Sequence, residues 1–228
     1  MEVNTKVEIR KPHIESEVVH KVPKRRVYRF TKRTMDVVLS VCALICLSWV
    51  FLIIFLLDHF SKGNKGPLFY RQVRVGLHGK KFVMYKFRSM IVDADIRLKR
   101  NKRLYHKYIT NNFKLEPQDD PRITRLGRFL RKSSIDEIPQ FINILKGEMT
   151  LVGPRPVVEP ELMEYDASKL LSVKPGAMGL WQASGRSMIG YPERADIEMH
   201  YIDKASLLFD IKVILGNMIK IFNRKGAY

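Results

Sequence analysis

Cysteine is nearly absent: Cys42 and Cys46 are the only two, four residues apart within the most apolar stretch of the chain. On a helix they would share a face without bridging well, so a disulfide scaffold is excluded and a reducing, cytosol-facing setting is expected. Acidic residues are also scarce, 23 Asp+Glu against 41 Lys+Arg for a net charge of +18. That excess calls for an anionic partner, which leaves nucleic acid, an acidic lipid surface and phosphorylated small molecules. A G-x-x-x-x-G-K-[ST] phosphate loop and Cys/His clusters of zinc spacing are missing, as are repeats and low-complexity tracts. Apolar material is not lacking. Hydrophobic residues are 46% of the 228, enough for a real core and too few for a polytopic transporter.

Residues 1–31 read as a loose basic arm, with Lys21, Lys24, Arg25, Arg26 and Arg29 clustered near its end. Val37 to Leu57 follows as 21 residues interrupted only by Ser40 and Ser48, long enough to cross a bilayer core as a helix. No small-residue cleavage site follows it, and it starts too far into the chain for a signal peptide. Both flanks are net positive, whereas a spanning helix concentrates its basic excess on one side. A helix that enters, bends and returns resolves this, with Ser48 able to bond back to a carbonyl one turn earlier and Asp36 at the interface. Residues 32–60 are accordingly expected to be membrane-embedded and residues 61–228 to form a second, soluble-looking unit. There, two strand patterns flank a turn at Leu77–Lys80, residues 92–116 look helical, Ile135–Leu145 suggests a short helix closed by Gly147, and Leu207–Phe222 suggests an amphipathic helix.

The chemistry-bearing candidate is Ser134-Ile135-Asp136-Glu137-Ile138-Pro139. Proline is tolerated only near a helix start, which favours Asp136 as the N-cap with Pro139 in the first turn. A helix N-terminus there would keep the carboxylate ionised and favour a phosphate beside it. A carboxylate so placed can serve as nucleophile or metal ligand; the alternative is that it only caps. Arg122, Arg125, Arg128, Arg131 and Lys132 precede the segment, and Arg155 follows between Pro154 and Pro156, stiffly presented for a bidentate phosphate contact. Lys86 and Arg88 share one face at the end of a strand pattern, where a solvated face and a binding role both remain open.

From about Lys32 to Tyr228 the chain resembles the bacterial sugar transferase family, the monotopic polyprenyl-phosphate phosphoglycosyl transferases. The resemblance rests on KRTMDVVLS, YKFRSM, LGRFLRKSSIDEIPQFINILKGEMTLVGPRP, VKPGAMGLWQASGRS, and FDIKVIL followed by RKGAY. It implies transfer of a sugar 1-phosphate from a UDP-sugar to polyprenyl (undecaprenyl) phosphate, initiating polysaccharide or glycoconjugate assembly. By the family mapping, Asp136 becomes a covalent aspartyl phosphosugar while UMP leaves, and Glu137 assists. Mg²⁺ would have Asp136 among its oxygens, and Lys86, Arg88, Arg131, Arg155 and Lys174 would contact phosphate. Arg186, in SGRS, resembles members that handle glucose or galactose 1-phosphate, and Glu198 stands where the family often has Asp, implying a metal or substrate role.

The implied fold is α/β and helix-dominated: a re-entrant membrane helix hairpin, then a cytosolic catalytic domain with a small β-hairpin and interfacial amphipathic helices. The implied location is the bacterial inner membrane, with the catalytic domain on its cytoplasmic face. Membrane lipids are expected partners, homo-oligomers and downstream glycosyltransferases are candidate ones, and nucleic acid is not expected. One departure matters: the family commonly breaks the membrane helix at Ser-Pro, and this chain has Ser48-Trp49, so the bend lacks its strongest local cause and a straighter or fully spanning helix stays open as the alternative. The competing class is a non-catalytic, membrane-tethered basic protein binding acidic lipids or nucleic acid.

Overall fold

The computed structural model describes residues 26–60, 66–110, 115, 120–185 and 189–222. Residues 1–25, most of the expected arm, lie outside them. Helix α1 (Arg26–Cys46) starts earlier than the boundary at residue 32 expected from the sequence, so residues 26–31 belong to the helix and not to the arm. The cause is tertiary. Tyr28 Oη and Lys32 Nζ donate to Asp210 Oδ2 at 3.0 and 2.6 Å, which fixes the first turns to the far end of the chain.

The apolar run is two helices. After Leu47 the chain continues as α2 (Ser48–His59), inclined by 51° to α1, and among the described residues no single helix is long and apolar enough to cross a membrane. Ser48 Oγ donates to Ile45 O at 2.8 Å, the back-bond expected from the sequence, so the bend forms without a proline. Both helices are tied to the remainder of the molecule. Arg33 caps the last carbonyls of α6 (Gln140–Lys146), donating to Ile144 O and Leu145 O at 2.6 and 2.8 Å. Asp36, expected at an interface, is buried against β3 (Thr150–Val152), accepting from Thr150 Oγ1 at 2.8 Å and Leu151 N at 2.9 Å. On α2, Val50 and Ile54 pack with Phe87 and Leu130, and Asp58 accepts a two-pronged bond from Arg88 at 2.8 and 2.9 Å.

The expected hairpin is present. Strands β1 (Phe69–Val75) and β2 (Lys81–Phe87) pair antiparallel with Tyr70 opposite Lys86, Gln72 opposite Met84 and Arg74 opposite Phe82. Opposed residues share a face, so Tyr70, Gln72, Arg74 and Lys86 stand on one side of the ribbon. The expected helical stretch after it is α3 (Ala94–Arg100) and α4 (Lys102–Thr110). Helix α5 (Arg125–Ser133) is capped by Thr124, whose Oγ1 accepts from Gly127 N at 2.8 Å. A side chain at Gly127 would meet Ser89 O at 1.8 Å, so glycine is what lets α5 lie against the strand exit.

Asp136 does not cap a helix. Ser134, at φ 58°, ends α5 in the left-handed region, and Ile135–Glu137 forms one 3₁₀ turn before α6 begins at Gln140. Bonds from Glu137 N to Ser134 O (3.2 Å) and Ile138 N to Ile135 O (3.1 Å) close this turn. Pro139, which has no N–H to contribute, sits at the junction instead of inside the first turn.

The loop Gly153–Pro156 leaves β3, which pairs in parallel with β4 (Gly176–Met178). Between them lie a 3₁₀ segment, Glu159–Glu164, and α7 (Ala167–Leu170). The chain ends with α8 (Leu180–Ser184), α9 (Glu193–Lys204) and α10 (Leu207–Phe222), the last with the bounds expected from the sequence. Phe82, Met84, Ile144, Met149, Leu151, Tyr201 and Val213 fill the main core. Leu208, Ile211, Leu215 and Ile219 form an exposed stripe on α10. The helix-dominated α/β class is as expected.

Candidate active site

The 3₁₀ turn carries both acidic candidates, and their surroundings differ. Glu137 Oε1 accepts from Lys86 Nζ at 2.6 Å, across from the end of β2. Asp136 is buried, and no side-chain ion pair forms to it among the described residues. Burial pushes its carboxyl up to about 6, helped by the Glu137 charge and opposed by Lys86 and Arg131. The sequence expectation of an ionised carboxylate held by a helix N-terminus is therefore corrected: no α-helix starts at Asp136, and desolvation dominates. Arg131, on the last turn of α5, is fixed by its Nε donating to Ser89 Oγ at 2.8 Å, with Asp136 among the charges it senses.

Four expected residues thus come together: Lys86, Arg131, Asp136 and Glu137. Arg88, expected with them, turns to Asp58 and donates through Nε to Pro67 O at 2.8 Å. Lys174 stands beside Gly147 and Arg33 at the end of α6, under the base of α1. Arg186 lies outside the described residues.

Further along the same face of the hairpin is a second group, built around the Gly153–Pro156 loop. Arg155 lies over the Trp181 ring at 5.5 Å, and Arg194 over the same ring at 4.0 Å and over Tyr191 at 5.2 Å. Arg74 donates to Pro156 O at 3.0 Å, Glu161 Oε2 at 3.3 Å and Gln72 Oε1 at 2.7 Å. Burial lowers Arg74 to about 10, and Arg155 adds to that by repulsion. Glu198, one turn after Arg194 on α9, is fully buried, and burial raises it to about 7 against the pull of the Arg155 backbone N–H and the Arg194 and Arg155 guanidiniums. Tyr70 links the two groups, sensing both Arg74 and Arg131.

Reading the sequence alone missed Tyr70, Arg74 and Arg194. A signal existed for the first two: they recur at alternate positions on a strand whose partner carries Lys86. For Arg194 the only signal is its i,i+4 spacing from Glu198.

No group of three or more His, Cys, Asp or Glu suited to a metal occurs among the described residues. Mg²⁺ needs no such cage, being commonly held by one or two carboxylates plus substrate phosphates and waters. Asp136, buried and without a cationic partner in contact, with Glu137 beside it, fits that mode.

The chain is similar to known proteins over nearly its whole length. The bacterial sugar transferase pattern matches residues 27–224. Exopolysaccharide production protein ExoY of Sinorhizobium fredii is 41% identical over 204 residues, covering 87% of this chain and 88% of that protein. The undecaprenyl-phosphate galactose phosphotransferase of Salmonella typhimurium is 43% identical over 209 residues, 90% of this chain and 43% of that one. The UDP-glucose:undecaprenyl-phosphate glucose-1-phosphate transferase of Escherichia coli is 34% identical over 223 residues, 92% of this chain. The chain spans less than half the length of the latter two, at 43% and 44%.

Proposed function

The chain belongs to the bacterial sugar transferase family, and from that premise we propose that it is a phosphoglycosyl transferase moving a hexose 1-phosphate from a UDP-sugar to undecaprenyl phosphate to begin exopolysaccharide assembly. The observation that carries this reading is the pairing of a buried, ion-pair-free Asp136 with a Glu137 already neutralised by Lys86.

The first step is attack by an Asp136 carboxylate oxygen on the sugar-bearing phosphorus. The bond from that phosphorus to the bridging oxygen breaks, UMP leaves, and an aspartyl phosphosugar remains. An oxygen of the lipid phosphate then attacks the same phosphorus and returns Asp136 as a carboxylate. Desolvation raises the energy of the ionised nucleophile, and Arg131 and Lys86 offset part of that cost at the position where phosphoryl charge develops. Lys86 holds Glu137 in a fixed pose, from which it orients Asp136 or takes a proton. Asp136 and Glu137 would hold Mg²⁺ with the donor's diphosphate, and the ion would supply charge neutralisation there.

The same reading seats the bent helix pair in the inner membrane as a re-entrant unit. In support, α1 is tied to β3 and α6 at its start, and α2 is tied to Arg88 at its end, so both outer ends meet the same catalytic unit. The outward stripe of α10 is the surface that would rest on lipid. The deciding experiment identifies the nucleotide released from UDP-glucose and UDP-galactose by the membrane-reconstituted protein. UMP is expected; UDP would mean transfer of the sugar alone, and no release would remove the assignment.

A further inference from the structure

Lys86 and Glu137 meet across a seam between β2 and α6, and one residue outside the site holds that seam in register. Asn143, on α6, is fully buried, and its amide is bonded on three sides. Its Oδ1 accepts from Tyr85 N at 3.1 Å, and its Nδ2 donates to Val83 O at 2.7 Å and to Glu148 Oε2 at 2.7 Å. In a two-stranded ribbon each strand has an edge that its partner leaves open, and Val83 O and Tyr85 N lie on the edge of β2 that faces α6. The amide stands in for a third strand there, matching one carbonyl and one N–H as a peptide group would. Its sense is not free. Val83 O and Glu148 Oε2 both accept, so only the NH₂ end can face them. Glu148 is placed for this by its own N–H, which donates to Asn143 O at 3.0 Å.

We propose that Asn143 is a positioning residue whose amide sets the register of β2 against α6 and so delivers Lys86 to Glu137. Lys86 directly follows Tyr85, and α6 begins just after the 3₁₀ turn that carries Asp136 and Glu137. Phe87, Ile135 and Ile138 share an apolar cluster across the same seam, but apolar contact is non-directional. A bonded C=O and N–H pair is directional: a slip of β2 by one residue would turn its other face to the site and carry Lys86 away from Glu137. The lysine cannot supply this precision itself, since its ammonium rides on a flexible stem. Lys146 Nζ, donating to Tyr85 Oη at 3.1 Å, adds a second tether, on the exposed side. The effect on rate rests on the proposed reaction, whereas the hold on Lys86 exists without turnover.

Two readouts on the full-length protein in detergent test this. The first is reductive methylation with formaldehyde and a borane, followed residue by residue by mass spectrometry, with the exposed Lys99 as internal reference. Asn143→Asp keeps the size of the side chain and removes its donor. It should speed methylation of Lys86 at least threefold, toward the rate in Glu137→Gln, where the ion pair is broken directly. Ile144→Val, a core substitution on the same helix, should leave Lys86 as in the unaltered protein. The second readout is a double-mutant cycle in kcat. Asn143→Asp should lower kcat about tenfold or more with KM for the UDP-sugar within about twofold. Combined with Lys86→Met it should cost less than about twofold beyond Lys86→Met alone, because a residue acting through Lys86 has nothing left to position. A merely structural role would instead multiply the two losses. Should Asn143→Asp fail to fold, Glu148→Gln carries the same comparisons, since it lets the amide turn either way, with smaller effects in the same direction. Unchanged Lys86 methylation, the same acceleration in Ile144→Val, or losses that multiply in the cycle overturn the proposal. If methylation behaves as stated but the unaltered protein releases no UMP, the Asn143 tether stands and the proposed reaction falls.

Discussion

Lys86 reaches across from the end of β2 to Glu137 at 2.6 Å, while Asp136, the residue before, receives no comparable contact. Two adjacent carboxyls are thereby made chemically unequal: one is a compensated anion, the other a desolvated group whose pKa is pushed to about 6. An asymmetric pair of this kind separates a nucleophile from its helper without any difference in the local chain.

The asymmetry has a cost in folding. The Asp136 carboxyl binds its proton more tightly in the folded state than at the ordinary value of 3.8, so its contribution to stability is greatest below about pH 4 and is lost as pH rises through about 6. Asp136→Asn should abolish turnover and at pH 7.5 raise unfolding stability by roughly 1–3 kcal/mol. Thermal melts of the two proteins at pH 4 and 7.5 check this, with the difference present only at the higher pH.

Activity should run the other way. In the proposed reaction only the ionised carboxylate attacks, so kcat/KM should fall about tenfold per pH unit below about 6 and level off above it. A rate profile between pH 5 and 8 with saturating acceptor measures it, and Glu137→Gln should move the inflection downward because a neighbouring negative charge is removed.

Gly127→Ala should be far more damaging than an alanine in a helix would suggest. The new methyl would stand 1.8 Å from Ser89 O, and relief requires moving α5, which carries Arg131. A loss of about 1–3 kcal/mol is expected from overpacking, together with a fall in kcat from the displaced Arg131. Differential scanning calorimetry and initial rates report the two effects separately.

For the helix pair, cysteines introduced at Arg29 and His59 in a Cys42→Ser, Cys46→Ser background should react with a membrane-impermeant maleimide from the same side of sealed vesicles. Labelling from opposite sides would mean that the pair spans.

Much of this molecule can be read from its residues. The hairpin and its turn follow from two strand patterns around Leu77–Lys80, the α10 bounds from helical spacing, and the bend at Ser48 from a hydroxyl able to reach Ile45 O. The early start of α1 could not be read, because Tyr28 and Lys32 are held by Asp210, a partner near the other end of the chain. The parallel pairing of β3 with β4 was hidden for a similar reason, since three-residue strands leave no periodicity. At the site, the Asp136–Glu137 dyad stood out as acids next to a proline, but its environment did not. Local rules favour a cap, and the left-handed Ser134 together with burial decides otherwise. Arg88 shows the same limit: a cation on a strand face has no label saying that its partner is Asp58.

Pinning both outer ends of the bent helix pair has a geometric corollary. With Asp36 locked onto Thr150 and Asp58 onto Arg88, the proposed seating in lipid would set the height of the Asp136 carboxyl above the tails like a depth gauge. A prenyl acceptor of the proposed reaction would then have to find the enzyme only by drifting sideways within the leaflet. Such a search would be two-dimensional, with a rate that depends on how crowded and how fluid that leaflet is.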